Sequence, residues 1–209
     1  MVETLGQETT ARAERRRREI LDAARSLVSR KGFEAARMDE VAAAVGVTKP
    51  AVYRYFPSKD HLITALMEAD LIEPTRTLSR FVAGYEGPIE ELLRAYAARA
   101  AEIQSQGVAR GYLVLAIDEA QRRPGIAAAF RQQVLAPGLE ALAGAFDRAM
   151  AAGELKAGHD PQMMSRLFFA PFLQLALVRG GVVLPMEDAQ ARDRYIEFHV
   201  DAFLRAFAA

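Results

Sequence analysis

The chain contains no cysteine. That absence excludes disulfides, thiol nucleophiles, zinc–thiolate sites and cysteine redox sensing together. Histidine is nearly as scarce: His61, His159 and His199 lie far apart, without the spacing of a metal-ligand set. No phosphate-cradling glycine loop, nucleophile elbow or dinucleotide fingerprint occurs, and Gly180-Gly181 reads as a helix stop. Neither catalysis nor a cofactor is expected. Long apolar runs are also missing. The most apolar stretch, LFFAPFLQLALV over 167–178, is too short to span a bilayer and is bracketed by Arg166 and Arg179. The first thirty residues carry arginines instead of the apolar block of a signal peptide, so a cytoplasmic protein is expected. Net charge is absent too, with 27 Lys/Arg against 27 Asp/Glu.

What remains is ordinary for a soluble globular protein: 209 residues, 51% apolar and 26% charged, enough for a substantial core in one domain or two. The zero net charge hides an asymmetry. Residues 1–60 hold twelve Lys/Arg and nine Asp/Glu, whereas the remainder holds fifteen and eighteen. Arg12, Arg15, Arg16, Arg17 and Arg18 form a dense basic cluster. Such a run reads either as the solvated start of a helix or as a contact to phosphates or a minor groove.

Residues 38–59, MDEVAAAVGVTKPAVYRYFPSK, organise the basic half. Val41, Ala42 and Val45 recur at helical spacing. Gly46 follows where a helix must stop, because glycine adopts left-handed backbone angles cheaply. Thr48 stands at an N-cap position, and Pro50 falls in the first turn of the next helix, where no N–H is needed. Ala51, Val52 and Tyr53 continue that second helix, and small Ala42 permits close approach of the two. This is a helix-turn-helix pattern, which places its second helix in the major groove of double-stranded DNA. Lysine donates to guanine O6/N7, and alanine or proline touches a thymine methyl. Lys49, Pro50 and Ala51 are therefore the candidates for base reading. Val52 and Phe56 are expected in the core, and Arg54 in solvent.

The run V-A-x-x-x-G-V-T-x-x-x-V-Y-x-Y-F-x-S-K-x-x-L over 41–62 resembles the DNA-binding segment of the TetR family of bacterial transcriptional regulators. The resemblance extends over 20–67, and the remaining two thirds match only in helical layout. It implies an all-α fold of about nine helices. A three-helix, helix-turn-helix domain at 1–60 would be followed at 61–209 by a helical ligand-binding and dimerisation domain. It also implies phosphate contacts from Thr48, Tyr53, Tyr55 and Lys59. One departure is visible. Family members usually carry threonines before the second helix, and this chain has Ala36 and Arg37 there. The missing cap oxygen costs about 1 kcal/mol unless replaced. Arg37 either meets a phosphate or pairs with Asp39 or Glu40.

Along the rest of the chain, 1–9 read as disordered and 11–31 as a helix ended by Gly32. Ser58 caps a fourth helix reaching about Val82, with Pro74 expected to kink or break it. Later helical patterns fall at 88–105, 108–122, 125–152, 161–180 and 187–207, separated by Pro124-Gly125, Gly153, Gly158, Gly180-Gly181 and Pro185. Asp160-Pro161 reads as an N-cap and first-turn proline, and Pro137 as a kink. No strand is expected, although 182–184 is short and apolar.

The last two helices are apolar on more than one face. A helix apolar on every side must be buried on every side. A second copy supplies that cover, so a homodimer is expected with Phe168, Leu175, Tyr195, Phe198 and Ala202 at a two-fold four-helix interface. Deep burial within one subunit is the alternative. The aromatics Phe81, Tyr112, Phe130, Phe146, Phe169 and Phe172 are candidates to line a small-molecule pocket, with Tyr85, Tyr96 and Phe168 in the wider set. Packed core is the competing reading for each. Asp118, Glu119 and Gln174 are candidate polar contacts. Together these features point to a homodimeric repressor released by an apolar or amphipathic effector. The competing readings are a DNA-binding regulator without an inducer, and a helical enzyme or interaction module that has lost DNA binding.

Overall fold

A computed structural model describes residues 2–105, 128, 130–178 and 189–209. The expectations for 108–122, for the start of the 125–152 helix, for Tyr112, Asp118 and Glu119, and for 179–188 lie outside the described residues. Among the described residues the fold is all-α. The helices are α1 (Val2–Ala35), α2 (Met38–Val45), α3 (Lys49–Tyr55), α4 (Lys59–Met67), α5 (Glu73–Ala83), α6 (Ile89–Ser105), α7 (Ala136–Ala151), α8 (Pro161–Val178) and α9 (Ala189–Phe207). Two π-helical turns, Glu68–Ile72 and Arg131–Leu135, precede α5 and α7. No described helix is long and apolar enough to cross a membrane. The chain divides into two compact units, Met1–Ala69 and Asp70–Ala209.

In the first unit, α1 packs against α2 and α4, and α2 packs against α3. Ile20, Ala24, Leu27 and Val28 recur at helical spacing on α1 and are buried, as are Val41, Ala42, Val52, Phe56, Leu62 and Leu66. Helix is assigned from Val2, where disorder over 1–9 was expected. The helical backbone is interrupted at Gly32, with φ 81 and ψ 169, a conformation open essentially to glycine alone. Phe33 beyond it is buried.

Gly46 closes α2 with φ 70 and ψ 34. Its N–H donates to the Ala43 carbonyl at 3.2 Å and the Val47 N–H to the Ala42 carbonyl at 3.0 Å. These two bonds satisfy carbonyls that the helix end would leave unpaired. Ser58 caps α4 as expected, its Oγ accepting from the His61 N–H at 3.2 Å.

In the second unit, α7 packs against α5 and α8, and α9 against α6 and α8. The core is aromatic. Phe146, Phe168 and Phe203 meet at ring-centroid separations of 5.1–6.1 Å. Helix ends are tied by long-range polar contacts. Glu154 accepts the Ile89 N–H at the start of α6 at 2.7 Å, and Arg148 donates to the Val82 carbonyl near the end of α5 at 3.2 Å. Asp160 caps α8, accepting from the Gln162 and Met163 N–H groups.

Prolines shape three helices. Pro74 and Pro137 were expected to kink or interrupt their helices. Each does interrupt regular α-helix: it follows a π-helical turn and stands in the first turn of the next α-segment. Pro171 lies inside α8. It cannot donate to the carbonyl one turn earlier, and its ring crowds that region of the helix. The neighbouring Phe168 carbonyl is bonded from outside the helix, 2.9 Å from His199 Nε2. A carbonyl only accepts, so Nε2 carries the proton.

Two predictions follow from these backbone solutions. An added Cβ at Gly46 meets no atom within 4 Å, so Gly46→Ala is strained by its φ alone. Chemical denaturation should show a loss of about 1–2 kcal/mol. Burial holds the His199 imidazole below its ordinary value of 6.5, against the opposing effect of its bond to Phe168. The unfolded chain then takes up this proton first. The stability contributed by neutral His199 is complete above pH 6.5 and falls as pH drops through the lower folded value. Melting temperatures measured from about pH 7 to 5 should fall less steeply for His199→Gln than for the parent chain.

Candidate nucleic-acid interface and interhelical cavity

Thr48 occupies the N-cap of α3 with extended backbone, φ −79 and ψ 153. Its carbonyl accepts from Ala51 and Val52, but its hydroxyl makes no bond to the helix. That hydroxyl is exposed and available to a ligand oxygen. Lys49 and Pro50 are exposed beside it, and Ala51 is half-buried. Val52 and Phe56 fill the core beneath, which turns Tyr53 and Arg54 outward. Tyr55 is half-buried. Arg17, from the basic cluster on α1, lies over the Phe56 ring with Cζ 5.1 Å from the centroid. Arg16 pairs with Glu19 at 2.8 Å.

The departure at Arg37 is resolved locally. Arginine has no acceptor to cap α2, and its guanidinium pairs with Asp39 at 3.2 Å. Glu40 supplies the other half of a capping arrangement. Its carboxylate accepts the Arg37 N–H at 3.0 Å and also binds Lys31. The Glu40 carboxyl is held below its ordinary range chiefly by Lys31, and by the Arg37 N–H. Asp39 is likewise lowered, first by its own backbone N–H and then by the charges of Arg37 and Lys49. An acid beside the candidate base-reading lysine repels phosphate and so discourages indiscriminate backbone contact. Lys59, expected at a phosphate, donates one N–H to the Glu34 carbonyl at 2.8 Å. It ties the start of α4 to the end of α1.

The second unit contains a cavity of about 80 Å³. Phe130, Phe169 and Phe172 line it, as expected. Phe146 does not; it is fully buried in the aromatic core. Phe81 packs against Tyr85 and under the Arg99 guanidinium, 4.0 Å from the ring centroid. Gln174 is exposed on α8 and accepts from the Tyr195 hydroxyl at 2.9 Å, so it is no cavity contact. Tyr96, from the wider set of candidates, lines it as well, and the remaining walls escaped sequence reading. Leu71 belongs to one π-helical turn, and Val134 and Leu135 to the other. Thr75, Ser79 and Tyr96 supply hydroxyls, and Gly138 leaves open space where a Cβ would stand. Only the hydroxyl residues carried a local signal, as polar positions on apolar helix faces. No charged side chain lines the cavity among the described residues.

Phe168 and Leu175, expected between subunits, are buried in their own unit at 0% and 4% exposure. The aromatic cluster around Phe146 and Phe203 covers Phe168. The exposed apolar residues of α8 are instead Met163 and Leu167, at 62% and 54%. On α9, Phe198 is 68% exposed, flanked at helical spacing by half-buried Tyr195 and Ala202.

A short helix with free polar and basic groups, held at its N-terminus by a tight turn, defines a helix-turn-helix DNA-binding regulator. Comparison with known proteins gives the family. Residues 20–66 match the model of bacterial regulatory proteins of the tetR family, and 85–195 match the tetracyclin repressor-like C-terminal domain. The chain belongs to the TetR family of transcriptional regulators, a family of regulators and not of enzymes. It is 31% identical over 124 residues to the HTH-type transcriptional regulator YfiR of Bacillus subtilis (strain 168), covering 55% of this chain and 58% of YfiR. It is 45% identical over 67 residues to the HTH-type transcriptional repressor KstR of Rhodococcus jostii (strain RHA1), covering 31% of each. The chain thus spans less than two thirds of the curated relatives it matches. A TetR-family structure from Mesorhizobium loti MAFF303099 shares the fold, with TM-score 0.73 and 21% identity over 95% of this chain and 99% of that one.

The two lysines are separable by experiment. Lys59→Met removes the bond to Glu34 and should lower unfolding free energy by about 1 kcal/mol, with weaker binding to all DNA. Lys49→Ala touches no packed group and should leave stability within about 0.5 kcal/mol while changing the sequence preference in a selection assay.

Proposed function

We propose that the protein is a repressor that binds a palindromic operator as a homodimer and is released by a small apolar or amphipathic molecule. The observation that carries the reading is the exposed apolar surface on α8 and α9. Met163, Leu167 and Phe198 stand in water on two packed helices, and the Tyr195–Gln174 bond joins their surfaces. A two-fold axis across such a face buries one copy's stripe against the other's. It would also present α3 twice, to half-sites a whole number of helical turns, about 34–36 Å each, apart. Thr48, Tyr53, Tyr55 and Lys59 would meet phosphates, and Lys49, Pro50 and Ala51 the base edges, with Arg37 at the flank. Release would require an effector that favours a dimer whose two reading helices no longer match the groove spacing. The repressor assignment rests on KstR, whose name records that activity for that protein.

Phe198→Glu places a charge at the centre of the proposed interface. Sedimentation should show a dimer for the parent chain and a monomer for the variant, with operator affinity lower by at least about tenfold. A variant that stays dimeric on the same operator removes this interface. A second reading, a regulator with no small-molecule inducer, is favoured by one observation, the small volume of the cavity. On that reading no apolar compound changes affinity for a fragment selected from genomic DNA.

A further inference from the structure

The cavity of the second unit holds one group that the fold does not use. Tyr96 on α6 is 2% exposed, and its ring is held edge-on and tilted against Phe172 and Phe168 at 5.5 and 5.7 Å. Its hydroxyl has no hydrogen-bond partner among the described residues. Burial alone accounts for the strong upward displacement of its ionisation. An unpaired buried hydroxyl bears the cost of its lost hydration, and a phenylalanine would fill the same space without that cost. The neighbouring hydroxyls do not relieve it. Ser79 donates to the Thr75 carbonyl at 2.9 Å, back along its own helix, which leaves only its lone pairs to the cavity.

We propose that the cavity takes a neutral, largely apolar molecule bearing one hydrogen-bonding oxygen, and that the Tyr96 hydroxyl donates to that oxygen. The inference rests on reading the second unit as the effector-binding half and gives that site its chemistry. With no charged residue among the described lining, a carboxylate or ammonium would lose its hydration with nothing in return from these walls. A hydrocarbon would fit the walls but leave the phenol unpaired. A ketone or alcohol satisfies both, with Ser79 Oγ placed to accept from an alcohol. Volume adds a constraint. The cavity measures about 80 Å³, whereas an apolar cavity of about 150 Å³ holds benzene. Small compact rings are therefore the appropriate probes.

The test uses the full chain and four probes: cyclohexanone, cyclohexanol, toluene and cyclohexanecarboxylate. Protein-observed NMR should show cyclohexanone and cyclohexanol binding at least about tenfold more tightly than the carboxylate. Tyr96→Phe should weaken the two oxygenated probes about tenfold, leave toluene unchanged, and raise the melting temperature of the free protein by a few degrees. Gly138→Leu, which fills the open space, should abolish binding of every probe and also raise the melting temperature. The proposal is overturned if Tyr96→Phe leaves cyclohexanone binding unchanged, if the carboxylate binds as well as the ketone, or if no probe binds. Fluorescence anisotropy on a selected DNA fragment keeps the two claims apart. Probe binding as described with unchanged DNA affinity sinks the release reading and upholds the cavity chemistry. DNA release by toluene and cyclohexanone alike, insensitive to Tyr96→Phe, does the reverse.

Discussion

A backbone carbonyl in a buried helix must have a donor, and a proline one turn later removes it. Pro74, Pro137 and Pro171 impose that requirement on three described helices. At the first two the chain widens into a π-helical turn and restarts α-helix with the proline at its head. At the third the helix continues; the carbonyl deprived of its donor is that of Leu167, an exposed residue, while His199 reaches separately across from α9 to the Phe168 carbonyl. These solutions have consequences beyond the helices themselves. The π-helical turns bring Leu71, Val134 and Leu135 to the wall of one cavity. The His199 bond fixes α9 against α8 at the level of the aromatic core, where Phe168, Phe172 and Phe203 surround the imidazole.

The first unit was legible because its determinants are local. Gly46, Pro50 and Ser58 act on backbone within a few residues, and such effects are written in sequence order. The same locality explains what went unseen there. Lys59 was read from its place in the motif, but its partner, the Glu34 carbonyl, lies 25 residues away. Arg37 was seen to lack a cap oxygen, and Glu40 three residues later held the compensating signal. The second unit was legible only as helices. Periodicity gives the stripe of α8 but not which neighbour covers it. Phe168 and Leu175 therefore passed for interface residues although Phe146, Phe203 and Val200 belong to the same buried cluster. The cavity walls come from positions as distant as Leu71 and Leu173, and no window of sequence contains them together.

Charge is arranged with similar economy on the surface of the first unit. A uniformly basic face would hold any duplex by counterion release and would discriminate little. Here Glu40 anchors Lys31 and the entry to α2, Asp39 draws on Arg37 and Lys49, and Glu19 engages Arg16. Each acid offsets a cation that would otherwise contribute to sequence-independent affinity. On the proposed reading, the exposed Thr48 and Tyr53 would then carry proportionately more of the positioning, through directional bonds that depend on register. The zero net charge of the chain is in keeping with a protein that needs selectivity among many competing sites more than tight adhesion to all of them.

The second unit follows the same logic in apolar form. The unpaired Tyr96 hydroxyl on the cavity wall costs about 1–3 kcal/mol. Small domains have only about 5–15 kcal/mol of stability in total. A deficit of this size is readily removed by a single substitution to phenylalanine, so an orphan donor on a cavity wall is not what packing alone produces. Both sit beside the π-helical turns, whose hydrogen bonding is poorer than that of the α-segments on either side. Two π-helical turns and an unpaired buried hydroxyl therefore border one space, and a molecule entering it would act on both together.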